Sequence, residues 1–149
     1  MRAAKEGKMT KQILKGIGAA SLVAALAVLS VPAEAATIRC NIPFSFTVND
    51  KTLPAGTYTV STETAQGVLF VRGFGHAAVV SSIGLESGSD TQAKLVFHKY
   101  GDQYVLRQAW MGSGSGRQLP ASRLERTIAR AAQDGRVAAD FQRVVVPVL

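Results

Sequence analysis

Two histidines, His76 and His98, and a single cysteine, Cys40, are the side chains in this sequence best suited to proton transfer, nucleophilic attack or metal ligation. Hydrolysis through an activated nucleophile needs a base and an orienting acid beside a hydroxyl or thiol. No G-x-S-x-G elbow is present, and "GSGSG" (Gly112 to Gly116) lacks the strand-to-helix context that such an elbow requires. His98 lies between Phe97 and Lys99 in a β-type run, where a hydrogen-bonded structural histidine is the expectation. His76, His98 and Cys40 show none of the spacing that a zinc site uses. The glycines of "RGFGH" and "GSGSG" do not fit the dinucleotide pattern, which also needs a βαβ unit. The acids scatter over loops and favour no pair for glycoside chemistry. The sequence therefore assigns no catalytic residue, no metal ligand and no cofactor.

Two groups of residues could bind rather than react. Arg123, Arg126 and Arg130 recur at helical spacing and form a basic stripe, whose simplest reading is a solvated helix face and whose functional reading is contact with an anionic partner. Tyr100, Tyr104 and Trp110 cluster around one hairpin, either as core packing or as an aromatic platform for a sugar or a hydrophobic ligand.

The start of the chain bears on where such binding would take place. Arg2, Lys5, Lys8, Lys11 and Lys15 precede an uncharged apolar run and then the small residues of "PAEAA". This is the order of a secretory signal, with Ala33 and Ala35 as the small side chains of the cleavage site and residues 1–35 as the signal peptide. Met9 would open a signal of more ordinary length and is an alternative start. The other reading is an uncleaved membrane anchor, since the run from Ile17 to Ala33 approaches the lower limit of roughly 17 residues for a span. Export, to the periplasm or the medium, is the expectation. Ala36 to Leu149 would then form a single β-rich domain carrying twelve Lys and Arg against eight acids, so the net charge of +7 for the whole chain overstates how basic it is.

In that domain the apolar residues recur mostly at every second position. Ile38, Cys40, Ile42, Phe44, Phe46 and Val48 alternate with Thr37, Arg39, Asn41, Ser45 and Thr47, which predicts a strand with one buried face. Cys40 falls in the buried phase and reads as a small core hydrophobe rather than a lipid attachment point. A second strand has Tyr58, Val60 and Thr62 on one face, and a short third strand ends at Gly73 and Gly75. In a fourth, Ala77, Val79, Ser81, Ile83 and Leu85 share one phase. "AKLVFHKYGDQYVLRQAW" is a hairpin, with Ala93, Leu95 and Phe97 in one phase of its first arm and Tyr104, Leu106 and Trp110 in one phase of its second.

"GSGSG" reads as a flexible connector, after which the period changes. Ser122 and Glu125 make a capping box that opens a helix over about 123–134, with Leu124, Ile128 and Ala131 as a narrow apolar stripe for packing on the sheet and Gly135 as its stop. The closing "FQRVVVPVL" looks like a last strand, which Pro147 restricts to an edge or to a strand end. The expected fold is mainly β: an antiparallel β-sandwich or small β-barrel of about six to seven strands, with one C-terminal helix packed on it, after an N-terminal signal helix.

Four motifs, "NIPFSFTV", "LPAGTYTV", "KLVFHKYGDQYVL" and "LPASRLER", occur in this order within the stretch from Asn41 to Arg130. In this the chain resembles a family of small exported proteins numerous in Acidobacteria-type genomes, from which it departs in its hydrophobic tail, Val144 to Leu149. The resemblance implies an exported β-rich domain and supplies no activity. Three functional readings follow. The first is a non-enzymatic binding or structural protein of the cell envelope or secreted milieu, whose partner would be an anionic envelope surface or another envelope protein and not a nucleic acid. The second is a barrel that binds a small hydrophobic ligand or a sugar, and the third is an undetected hydrolase.

Overall fold

The computed structural model describes residues 35–63, 67–136, 138 and 140–149. Residues 1–34, where the sequence leads one to expect a signal peptide with Ala33 at its cleavage site and an alternative start at Met9, lie outside the described residues, and Ala35 is exposed just before the first strand. The chain forms β1 (Thr37–Ile42), β2 (Phe46–Val48), β3 (Lys51–Leu53), β4 (Gly56–Glu63), β5 (Val68–Gly73), β6 (His76–Ser81), β7 (Ile83–Glu86), β8 (Lys94–Tyr100), β9 (Gln103–Gly112), β10 (Ser115–Gln118), α1 (Arg123–Gln133) and β11 (Gln142–Pro147). One sheet has the order β1-β4-β5-β6 and the other β11-β8-β9-β10-β7. The short strand β2 runs parallel to β9 and carries β3 in a hairpin on its other side.

The two sheets curl toward each other because the chain crosses between them. Only Ser82 separates β6 from β7, and its amide and hydroxyl both donate to the Gly67 carbonyl, at 2.7 and 3.1 Å. On the far side the Leu149 amide donates to the Arg39 carbonyl at 2.9 Å, which ties the chain beyond β11 to β1. The result is a mainly β, curled half-barrel around one core, with one helix near the C-terminus among the described residues, as the alternation predicts.

Three of the four motifs meet in that core. Phe46 lies edge-on to Tyr58 and to Phe97 at 5.1 and 5.5 Å between ring centroids, and Phe44 lies edge-on to Phe97 at 5.1 Å. Edge-to-face contacts of this kind add about 0.5–1.5 kcal/mol to the burial itself. The Tyr58 hydroxyl donates to the Pro54 carbonyl at 2.6 Å, which fixes its ring over Gly73. A Cβ at Gly73 would lie 2.6 Å from that ring, so the position excludes any larger residue unless the ring moves.

Several expectations are corrected. The first strand is two strands: the alternation holds from Ile38 to Val48, but the chain leaves one sheet at Ile42 and joins the other at Phe46, after Pro43 removes an amide donor. This and the short strands β3, β7 and β10 raise the count above six or seven. In β6 the buried phase is Ala78 and Val80, while Val79, and Ile83 at the start of β7, are exposed. "GSGSG" is no connector. Gly112 ends β9, Ser113 and Gly114 turn with φ of 56° and 75°, and Ser115 opens β10. The phase of β9 breaks as well: Leu106 pairs with Phe97 but Gln108 with Val96, so Arg107 is an extra residue. That bulge takes Trp110 out of the phase of Leu106 and puts Ala109 into the core instead.

Candidate functional site

The helix does not dock through an apolar stripe. Its one buried residue is Glu125, while Leu124 and Ile128 are half-buried. Both arms of the capping box form: Ser122 Oγ accepts from the Glu125 amide at 3.2 Å, and Glu125 Oε2 accepts from the Ser122 amide at 2.9 Å. Asp50, at the β2–β3 turn, accepts from the Arg123 amide at 2.7 Å, so a second carboxylate satisfies the helix N-terminus. At the other end the Gly135 amide donates to Ala132 and the Arg136 amide to Ala131, with Gly135 at φ 70°, which is a Schellman closure.

The same Glu125 carboxylate reaches the sheet beneath. Oε1 accepts from the Tyr100 hydroxyl at 3.1 Å and Oε2 from Arg107 Nη1 at 3.3 Å. Arg107 is the bulge residue of β9, and its extra place in the strand aims the guanidinium at the helix. His98 Nδ1 stands 3.6 Å from Oε1, beyond hydrogen-bond range, and its ring stacks on Phe141 with centroids 3.8 Å apart. Burial holds His98 below the ordinary histidine range, the nearby charges of Arg107 and Arg143 push the same way, and Glu125 opposes them without reversing the shift. Burial, followed by the Glu125 charge, pushes the Tyr100 phenol up to about 12.

This arrangement is a satisfied clamp. Tyr100, Arg107 and the Ser122 amide all donate to one buried carboxylate, so most of its acceptor sites are occupied by contacts within the fold. It borders a groove of ≈ 470 Å³ between the β8–β9 turn and α1, whose walls include Tyr100, Asp102, Leu124, Ile128 and Asp140.

The three aromatic residues of the hairpin do not form one platform. Tyr100 belongs to the clamp, whereas Tyr104 stacks on Phe44 at 3.8 Å against the core. Trp110 lies over Gly116, and its Nε1 donates to Gln108 at 3.2 Å. The three arginines do share a face. Arg123, Arg126 and Arg130 are exposed on the side of α1 turned away from Glu125, as about 3.6 residues per turn requires. Arg126 Nη1 donates to the Ala121 carbonyl at 3.0 Å and Arg123 Nε lies 3.8 Å from Asp50. His76 is exposed at the start of β6, and Cys40 is fully buried, its thiol pushed up to about 11 by burial.

Sequence reasoning found the Ser122–Glu125 box but missed the second use of Glu125 and missed Arg107. The aromatic and basic content of the "KLVFHKYGDQYVL" motif was visible, but nothing local marks a bulge. Comparison with family models, with curated proteins and with solved structures found no match for this chain.

Proposed function

We propose that this protein is an exported, non-enzymatic binding module of the cell envelope, and that the outer face of α1 is its contact with an anionic surface. The observation that carries this reading is the disposition of the helix: Glu125 pins one side to the sheet, while Arg123, Arg126 and Arg130 stand exposed on the other. A helix capped at both ends and clamped to the sheet through its first turn presents its arginines from a fixed backbone, which lowers the ordering cost of binding. Guanidinium groups pair well with phosphate and carboxylate oxygens, which anionic lipids and acidic polysaccharides offer in arrays. The signal-like N-terminus and the resemblance to small exported proteins support the compartment.

Co-sedimentation with vesicles of anionic phospholipid tests the reading. Binding should fall as salt rises and should be lost in the triple variant R123Q/R126Q/R130Q, with the circular dichroism spectrum unchanged. Binding by the triple variant at the native level, or no binding by the native protein at low salt, would sink it.

A further inference from the structure

At one end of the half-barrel an arginine stands on the inner face. Arg117 on β10 pairs with Ala109 of β9 on one side and with Gly84 of β7 on the other. Ala109 is fully buried in the core, and directly opposed residues of an antiparallel pair share a face, so Arg117 points inward between the sheets. There it meets a cavity of ≈ 320 Å³ whose walls include Ala36 and Thr62 from the first sheet and its margin, and Gly84, Glu86 and Met111 from the second. None of these residues belongs to the clamp or to the arginine face of α1.

Arg117 Nη2 is buried and has no hydrogen-bond partner among the described residues. A guanidinium is always charged and carries donors only, so a buried N–H without an acceptor costs free energy that nothing in the local packing returns. Glu86 lines the same cavity, yet no ion pair joins it to Arg117 among the described residues. An inward arginine with Nη2 lacking an acceptor among the described residues, while a carboxylate stands in the same cavity wall, suits a site in which the acceptor arrives with a ligand.

We propose that this mouth binds a small organic monoanion, with its carboxylate on Arg117 and a short apolar body against Met111. The planar fork of a guanidinium matches the two oxygens of a carboxylate. Thr62 is buried beside it and brings a hydroxyl that can donate to the same group. Glu86 opposes a second negative charge on the ligand, which disfavours a phosphate dianion. The cavity lies at the small end of the usual range for ligand pockets, roughly 300–1,000 Å³, and therefore fits a short acid. This site is independent of the surface proposed for α1 and stands whether or not that surface binds membranes.

The test is an amide NMR titration of the protein purified from its own host, in carboxylate-free buffer, with hexanoate, hexylamine and hexyl phosphate as probes at millimolar concentration. Hexanoate should give saturable shifts at Thr62, Gly84 and Arg117, hexylamine none, and hexyl phosphate weaker ones. R117Q should lower the affinity for hexanoate at least about tenfold and raise the melting temperature of the unliganded protein, because the unpaired charge is gone. If R117Q does not fold, R117K keeps the charge without the fork and should still bind hexanoate more weakly than the native protein. Absence of hexanoate shifts at these residues, tighter binding of hexyl phosphate, or native affinity in R117Q or R117K would each overturn the proposal.

Discussion

The Tyr100 hydroxyl and Glu125 Oε1 lie 3.1 Å apart across 25 residues of sequence, and this bond joins the β8–β9 hairpin to the first turn of α1. Arg107 reaches the other oxygen of the same carboxylate, so the helix is held to the sheet through hydrogen bonds to one side chain. An 11-residue helix is marginal alone in water, so its presence depends on this attachment.

Replacement of Glu125 should therefore act on the helix as a unit. E125A removes the cap to Ser122 and leaves Arg107 without its counter-charge, at a cost of roughly 2–4 kcal/mol. E125Q keeps the shape and an acceptor oxygen for the capping box, and should lose less than half of that. Urea unfolding of both variants, followed at 222 nm, checks the order. Equal loss in the two would mean that charge, not the cap, holds the helix.

The environment of His98 fixes the sign of a pH effect. Its pKa in the folded protein lies below the ordinary 6.5, so as the pH falls through that value the unfolded chain takes up a proton that native His98 refuses. The contribution of His98 to stability is therefore present above about pH 6.5 and declines as the pH drops toward the depressed native value. Burial is the largest cause of that depression; Arg107 from β9 and Arg143 from β11 add to it, and Glu125 from α1 opposes it. Stability measured by denaturant between pH 5 and 7 should be flatter in H98Q than in the native protein. A steeper slope in the variant would reverse the assignment.

A steric prediction concerns β5. The ring of Tyr58 is held over Gly73 by its bond to Pro54 and by Phe46 edge-on to it, so it cannot turn aside to admit a methyl group. G73A should cost about 1–3 kcal/mol by overpacking. In a Y58L background the same change should cost markedly less, because the blocking atoms are gone. Thermal melts of the two single variants and the double variant form the cycle, and additive effects would show that the clash is relieved elsewhere.

What the sequence discloses here is local. The alternation from Ile38 to Val48, the β8–β9 hairpin and the Ser122–Glu125 box all rest on neighbours within a few residues, and all three are found in the structure. The parallel pairing of β2 with β9 and the bond from Leu149 to Arg39 join residues distant in sequence, and no period encodes them. Arg107 and Arg117 show the same limit at single positions. One is re-aimed by a bulge and the other turned inward by its register with Ala109, and neither is distinguishable from a surface arginine by type or spacing. Composition fails at "GSGSG" for a different reason: a flexible linker and a tight turn use the same residues.

Cys40 offers the sharpest check on the packing. It pairs with Tyr58 across β1 and β4, is fully buried, and shares its phase with Ile38 and Ile42 in a core where its thiol is the single sulfhydryl. Burial pushes that thiol up to about 11, so the reactive thiolate is scarce at neutral pH and no path leads a bulky reagent to it. The native protein should resist maleimide labelling, and modification should follow global unfolding. C40A should cost about 1–2 kcal/mol through lost burial and a small cavity, and C40S more, because a hydroxyl would be buried in a site that offers it no assured partner. R39Q, on the exposed face of the same strand, should change stability by no more than about 0.5 kcal/mol. Rapid labelling of Cys40 under native conditions would show that β1 is turned the other way, since a shift of one residue in its register with β4 would bring every side chain of the strand to the opposite face.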